Sequence, residues 1–277
     1  TKNVPYYVFG RGSLAQLGDL LKPRREAVDG PVVYFVDHFF RDHELIGRLP
    51  MEKGDQLHFV DSSSEPEVTR IDAFKEAVSA ADSRTPCCVV GIGGGNALDT
   101  AKAVANLLTN PGKAEDYQGW ELVKNPAVYK IGIPTLSGTG SECSRTCVLT
   151  NIPKNLKLGM NSDYTVYDQL LLDPDLLATV PRDQYFYTGI DTFMHCVESL
   201  QGSYRNAIID AFSVRAVQLC EEIFLSDDMM SEENREKMMI ASYIGGMAAG
   251  NVGVIHPFSA GLGVVLHVAH GLGNCLA

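Results

Sequence analysis

Cys87-Cys-Val-Val-Gly-Ile-Gly-Gly-Gly-Asn96 is the stretch whose reading decides the fold. A short apolar run ends in closely spaced glycines and leads into Ala97 to Leu108, a helical pattern. A glycine turn between strand and helix lets backbone N–H groups approach a phosphate, and the helix N-terminus adds partial positive charge. A turn needed only for tight packing is the alternative at this point. The usual Rossmann fingerprint follows the first strand and has its acid downstream. Here the acid able to meet a ribose, Asp37, comes before the glycines instead of after them.

Outward from that loop the texture repeats. Pro31 to Asp37, Gln56 to Val60, Pro86 to Gly91, Tyr129 to Pro134 and Gln169 to Asp173 read as strands. Their apolar runs lack alternation, as parallel strands buried on both faces do. Val68 to Ala81 reads as a helix between two of them, so the pattern predicts a parallel sheet covered on both faces. Thr146 to Met160 reads instead as a β-hairpin around Asn151-Ile-Pro-Lys-Asn155. A second loop, Pro134-Thr-Leu-Ser-Gly-Thr-Gly-Ser-Glu142, offers hydroxyls and mobile backbone beside the same sheet edge. Beyond Pro181 strand signals stop, and Gln184 to Leu200, Asn206 to Leu225 and Glu232 to Ala249 read as helices. The expected fold class is α/β: a parallel-sheet dinucleotide-binding domain over 1–178, then an all-helical metal-binding domain over 179–277.

The metal expectation starts from Asp191 and His195, four apart in a helical pattern and so on one face. Burying an acid and an imidazole there is costly without a partner. For this pair alone, a hydrogen-bonded core pair is an equal reading. His256 and His270 sit in short apolar or glycine-rich stretches of the same half. One carboxylate and three imidazoles make a sensible set for Fe(II) or Zn(II), and ligand softness does not choose between them.

Bulk properties exclude other classes. The net charge is −11 over 277 residues, with no basic block. That argues against nucleic acid and against an anionic membrane surface as partners. No apolar run is long enough to span a bilayer. Thr1 to Gly10 lacks the pattern of a signal peptide. The seven cysteines, an odd count without a CxxC pair, read as free thiols in a reducing compartment. A cytoplasmic location is expected.

Taken in order, several motifs resemble the iron-containing (group III) alcohol dehydrogenases. They are Phe9-Gly-Arg-Gly-Ser13, Gly93-Gly-Gly-Asn-Ala-Leu-Asp-Thr-Ala-Lys102, Pro134 to Glu142, Asp191-x3-His195, and His256 with His270. The resemblance implies that Gly93, Gly94 and Gly95 meet a pyrophosphate, with Asn96 and Asp99 in the same cofactor motif. It implies Asp37 on the adenosine ribose, favouring NAD(H) over NADP(H). Thr135, Ser137 and Thr139 would lie along the cofactor, with Lys157 near its ribose. Asp191, His195, His256 and His270 match the family's four metal ligands. A metal there would lower the pKa of a bound hydroxyl, and the cofactor would carry the redox chemistry. A homodimer is the expected assembly.

Within the family, Tyr117-Gln-Gly-Trp120, Ser144-Arg-Thr146, Leu158 to Asp168 and Gly271-Leu-Gly-Asn-Cys275 are similar to the branch that oxidises C8 of the sugar acid 3-deoxy-manno-octulosonate to an aldehyde, in lipopolysaccharide biosynthesis. The expected partner is therefore a small-molecule alcohol or sugar acid. Arg145 is the candidate for a substrate carboxylate, which it can bind bidentately. Two departures stand out. The family's further histidine, four residues past the third ligand, is Ala260 here, which leaves His267 as the candidate proton relay. Family members also continue through further helix, so the helical domain is expected to be C-terminally incomplete. The alternatives are a dehydroquinate-synthase-like lyase, an inactive dinucleotide-binding paralogue, and oxygen as the electron acceptor.

Overall fold

The computed structural model describes residues 2–203, 205–249, 253–266, 268 and 270–277. The chain forms two compact units: Thr1–Pro134 with Arg145–Asp173, and Thr135–Ser144 with Pro174–Ala277.

In the first unit the elements run β1 (Tyr6–Phe9), α1 (Leu17–Ala27), β2 (Val32–Asp37), α2 (Glu44–Gly47), β3 (Gln56–Val60), α3 (Val68–Ala81), β4 (Cys88–Gly93), α4 (Gly95–Leu107), β5 (Gly119–Trp120), β6 (Lys130–Pro134), β7 (Thr146–Asn151), β8 (Leu156–Asn161) and β9 (Gln169–Leu172). Six strands make one sheet in the order β1-β9-β6-β4-β2-β3, and every pairing is parallel. β4 is buried along its whole length, which is why its sequence is a continuous apolar run. β7 and β8 form the expected antiparallel hairpin, with Thr150 opposite Lys157. Its turn closes on Asn155 at φ 47°, a left-handed conformation that asparagine tolerates. β1 is a strand the sequence did not suggest. It lies at the sheet edge with Tyr6 and Tyr7 exposed, so it carries no burial pattern.

Asp55 fastens the start of the sheet. Its carboxylate accepts from Arg25 Nη1 at 2.9 Å and Nη2 at 2.6 Å, and from Val32 N and Glu52 N at 2.9 and 2.8 Å. Burial works to raise its pKa, but the guanidinium and the two amides outweigh it and hold the pKa below the usual carboxylate value. The stability it contributes is therefore complete above the unfolded-state value of about 3.9 and lost as pH falls through the lower folded value. Asp55→Ala, which removes the two guanidinium bonds and two amide bonds and leaves Arg25 with Glu52 and Pro50 O, should cost roughly 3 kcal/mol near neutrality. The gap to wild type should shrink in acid. Denaturant unfolding against pH checks this, and a gap that widens in acid would contradict it.

The second unit holds α5 (Arg182–Gln201), α6 (Ala207–Phe224), α7 (Glu232–Ala248), α8 (Ile255–Leu266) and α9 (His270–Leu276). Asn206 caps α6 by accepting from Ile208 N and Ile209 N, both at 3.1 Å, and Ser231 caps α7 through Asn234 N at 3.3 Å. Among the described residues no helix is long and apolar enough to cross a membrane.

The sequence placed the loop after β6 beside the sheet, with a mobile backbone. In the structure Gly138 and Glu142 of this loop are hydrogen-bonded to helices of the second unit. Gly138 N donates to Ser242 Oγ on α7 at 2.8 Å, and Thr192 Oγ1 on α5 donates to Gly138 O at 2.8 Å. Ser242 Oγ in turn donates to Glu142 Oε1 at 2.6 Å. This segment is pinned by hydroxyls that point out of two helices.

Candidate active site

Asp191, His195 and Glu198 recur at i, i+4 and i+7 on α5 and share one face. His256 is the second residue of α8 and His270 the first of α9. These three helices bring the groups together. Asp191 Oδ1 lies 3.0 Å from His256 Nε2, 3.7 Å from His270 Nε2 and 3.8 Å from His195 Nδ1. Donor atoms of Asp191, His256 and His270 all fall within 4.8 Å of one another. His195 stacks on His256, with ring centroids 4.1 Å apart and planes 18° apart. Asn274 Nδ2 donates to Asp191 Oδ1 at 2.5 Å, and Ser259 Oγ lies 3.2 Å from His270 Nδ1.

Burial and charge oppose each other here. Asp191 is 2 % exposed. Burial pushes its pKa up, and the surrounding imidazoles outweigh that and leave it well below the usual range. Burial dominates at His195 and pushes its pKa down to about 4. At His256 burial is overcome by the Asp191 and Glu198 carboxylates, and the pKa rises.

Two observations test whether a cation fits. His195 Nδ1 is buried and finds no hydrogen-bond partner among the described residues. At 3.8 Å from Asp191 Oδ1 it is beyond hydrogen-bond reach. His256 Nδ1 contacts Glu198 Oε2. When that nitrogen carries the proton of a neutral ring, Nε2 turns a lone pair toward the Asp191 carboxylate 3.0 Å away. A cation relieves that contact. Asp191, His256 and His270 form a carboxylate–imidazole group that fits Fe(II) or Zn(II); His270 is partly exposed, and His195 adds a third imidazole 3.8 Å from Asp191 Oδ1.

The dinucleotide candidates gather in the first unit. A Cβ at Gly93 (φ +150°) would meet Ala97 Cβ at 2.6 Å and Asp37 Cβ at 2.9 Å. The fold thus brings the acid that precedes the glycines in sequence against them in space. Asp37 Oδ1 accepts from Phe39 N at 3.0 Å and Ser62 Oγ at 2.9 Å. Gly94 is the N-cap of α4, so no side chain caps the amides of its first turn, a cradle that fits a phosphate group. Asn96 donates to Ser64 O and lines a cavity of about 400 Å³ with His58, Arg70 and Phe74.

Other expected site residues have internal partners. Asp99 Oδ2 accepts from Val148 N at 2.9 Å, and its Oδ1 lies 3.3 Å from Lys102 Nζ, which ties α4 to β7. Lys157 Nζ pairs with Glu65 Oε1 at 2.9 Å. Arg145 pairs with Glu121, and its Nε lies 3.1 Å from Asp163 Oδ1. Two carboxylates of the chain itself thus hold the guanidinium expected to take a substrate carboxylate. In the second unit Thr135 is buried, Ser137 Oγ is buried without a partner among the described residues, and Thr139 Oγ1 accepts from Ser141 N at 3.2 Å. His267 lies outside the described residues.

Sequence reasoning missed Glu198 and Asn274. Both had a signal, since Glu198 extends the Asp191–His195 face by one turn and Asn274 follows His270 by four.

A parallel-sheet unit with a glycine cradle, together with a helical unit that gathers three imidazoles around a buried carboxylate, defines a dinucleotide-linked metalloenzyme fold. Residues 5–174 match the family model described as iron-containing alcohol dehydrogenase, and residues 185–277 match that of the Fe-containing alcohol dehydrogenase family, C-terminal. The chain belongs to the iron-containing alcohol dehydrogenase family. Members of this family are NAD-dependent alcohol oxidoreductases that bind a divalent metal. The sulfoacetaldehyde reductase of Bilophila wadsworthia is 34% identical over 220 residues, covering 77% of this chain and 56% of that protein. The NAD-dependent methanol dehydrogenase of Bacillus methanolicus is 29% identical over 278 residues, covering 98% of this chain and 71% of that protein. Among solved structures, sulfoacetaldehyde reductase from Bifidobacterium kashiwanohense in complex with NAD+ superposes with a TM-score of 0.84 at 26% identity, over 99% of this chain and 73% of that one. The chain thus spans between about half and three quarters of the length of these relatives.

Proposed function

We propose that the chain is the metal- and NAD-binding part of an oxidoreductase that interconverts a primary alcohol and its aldehyde. The observation that carries this reading is the buried Asp191 carboxylate ringed by His195, His256 and His270. Those four residues would hold a divalent cation. Asp37 would take the adenosine ribose, Gly93, Gly94 and Gly95 the pyrophosphate, and Thr135, Ser137 and Thr139 the remaining polar edge of the cofactor. When bound, the metal supplies polarisation of a substrate oxygen and the nicotinamide supplies the hydride acceptor. Burial of Asp191 and His256 strengthens the charge interactions between them, while His270 is partly exposed. Ala260 offers no proton acceptor, so a relay falls to a group such as His267.

The relatives' names point to small alcohols and aldehydes, among them methanol and sulfoacetaldehyde. The finer reading, oxidation of C8 of 3-deoxy-manno-octulosonate, rests on the sequence stretches around Trp120, Arg145 and Tyr164. It requires Arg145 to give up Glu121 or Asp163 for the substrate.

The test is NADH formation by metal-loaded protein offered methanol, a hydroxyalkyl sulfonate and the sugar acid. NADH should appear with at least one of them. Tight NAD binding without turnover on any would sink the catalytic reading and favour a binding role. NADH with small alcohols and none with the sugar acid would remove the finer one.

A further inference from the structure

We infer that Glu198 is a positioning residue that selects the metal-competent tautomer of His256 and fastens the start of α8 to α5. This rests on the reading of Asp191, His195, His256 and His270 as ligands and adds a residue outside that set. Glu198 lies one turn past His195 on α5 and is 4 % exposed. Its Oε2 contacts His256 Nδ1, and its Oε1 accepts from Ile255 N at 2.6 Å. Gly253 N donates to it as well. A Cβ at Gly253 would stand 2.9 Å from Glu198 Oε1, so the backbone comes this close because no side chain is there.

Oε1 is taken up by the backbone, so Oε2 is the oxygen that faces the imidazole, and a carboxylate placed behind a ligating imidazole accepts its Nδ1–H. That choice leaves Nε2 unprotonated, and Nε2 is the nitrogen turned toward Asp191, 3.0 Å away. The opposite tautomer would donate Nε2–H to Asp191 and close the site to a cation. A carboxylate behind a ligating imidazole fixes ring orientation and raises ligand basicity, and its loss typically weakens metal binding by roughly 10–100-fold. Glu198 differs from an ordinary helix cap because the same carboxylate also holds the imidazole.

Glu198→Gln separates these roles. Its Oε1 can still accept from Ile255 N, while an NH2 donor replaces the acceptor opposite Nδ1. Zn(II) affinity, measured by chelator competition on the full chain, should fall by roughly 10–100-fold, with far-ultraviolet circular dichroism and NAD affinity unchanged. His256→Ala is the control for the ligand reading. If His256→Ala binds zinc like wild type, that reading fails, and the inference with it. If His256→Ala loses zinc while Glu198→Gln binds like wild type, only the Glu198 inference is overturned. The zinc-loaded wild type provides a check that needs no variant. A slowly exchanging proton on His256 Nδ1 by nitrogen-15 NMR supports the inference, and zinc bound at Nδ1 overturns it.

Discussion

Asp191→Ala should leave the purified chain with little bound metal and should lower kcat/KM by at least ~10³-fold, a loss of about 4 kcal/mol in transition-state stabilisation. The size follows from position. Asp191 Oδ1 lies within 3.8 Å of a ring nitrogen of each of His195, His256 and His270. Removing it leaves only neutral donors in the ring, and the loss should exceed the roughly 10–100-fold cost of an outer partner. Asp191→Asn is the sharper variant, because it keeps the shape and an oxygen for Asn274 while deleting the charge. Elemental analysis with activity decides. A variant that keeps stoichiometric metal would break the ligand assignment, whatever its turnover.

The second large effect is on stability. Gly138 has φ +145°, and a Cβ there would stand 1.8 Å from Thr188 O and 2.7 Å from Thr188 Cγ2. The first of those atoms is backbone of α5, so it cannot swing aside. Gly138→Ala must therefore push the loop away from α5 and break its bonds to Ser242 and Thr192. Strain and overpacking together should cost about 3 kcal/mol or more, a fall in Tm of roughly 6–12 °C. Thr188 is one turn before Asp191, so metal affinity should fall too. Gly261→Ala is the contrast. Its Cβ meets nothing within 4 Å, and alanine favours helix over glycine, so Tm should hold or rise. Equal melting of the two variants would contradict the steric account.

These residues mark what was legible before the structure. The parallel strands were readable because burial on both faces removes alternation, as in β2 and β4. The shared face of Asp191 and His195 on α5 was readable because helical spacing fixes it. Glu198 was passed over because a glutamate on a helix normally faces water, and only the approach of Gly253 and Ile255 makes it an interior group. Asp99 was assigned to the cofactor from its glycine motif, and Arg145 to a substrate carboxylate from its place just after the Gly138–Glu142 loop. Their partners, Glu121, Asp163 and Val148, are far along the chain, and no local pattern reveals such pairings. For the Gly138 segment the sequence offered hydroxyls and mobile backbone and no sign of its partners. What pins it are the hydroxyls of Thr192 and Ser242, about 50 and 100 residues away.

Asp191, His195, His256 and His270 are the proposed ligands of the metal. X-ray absorption on the zinc-loaded chain tests this assignment most directly. Nitrogen and oxygen donors at about 2.0–2.2 Å, the multiple scattering of coordinated imidazoles and no sulfur shell are expected. A sulfur shell at about 2.3 Å, from a thiol such as the exposed Cys275, or zinc without imidazole ligands, would contradict it.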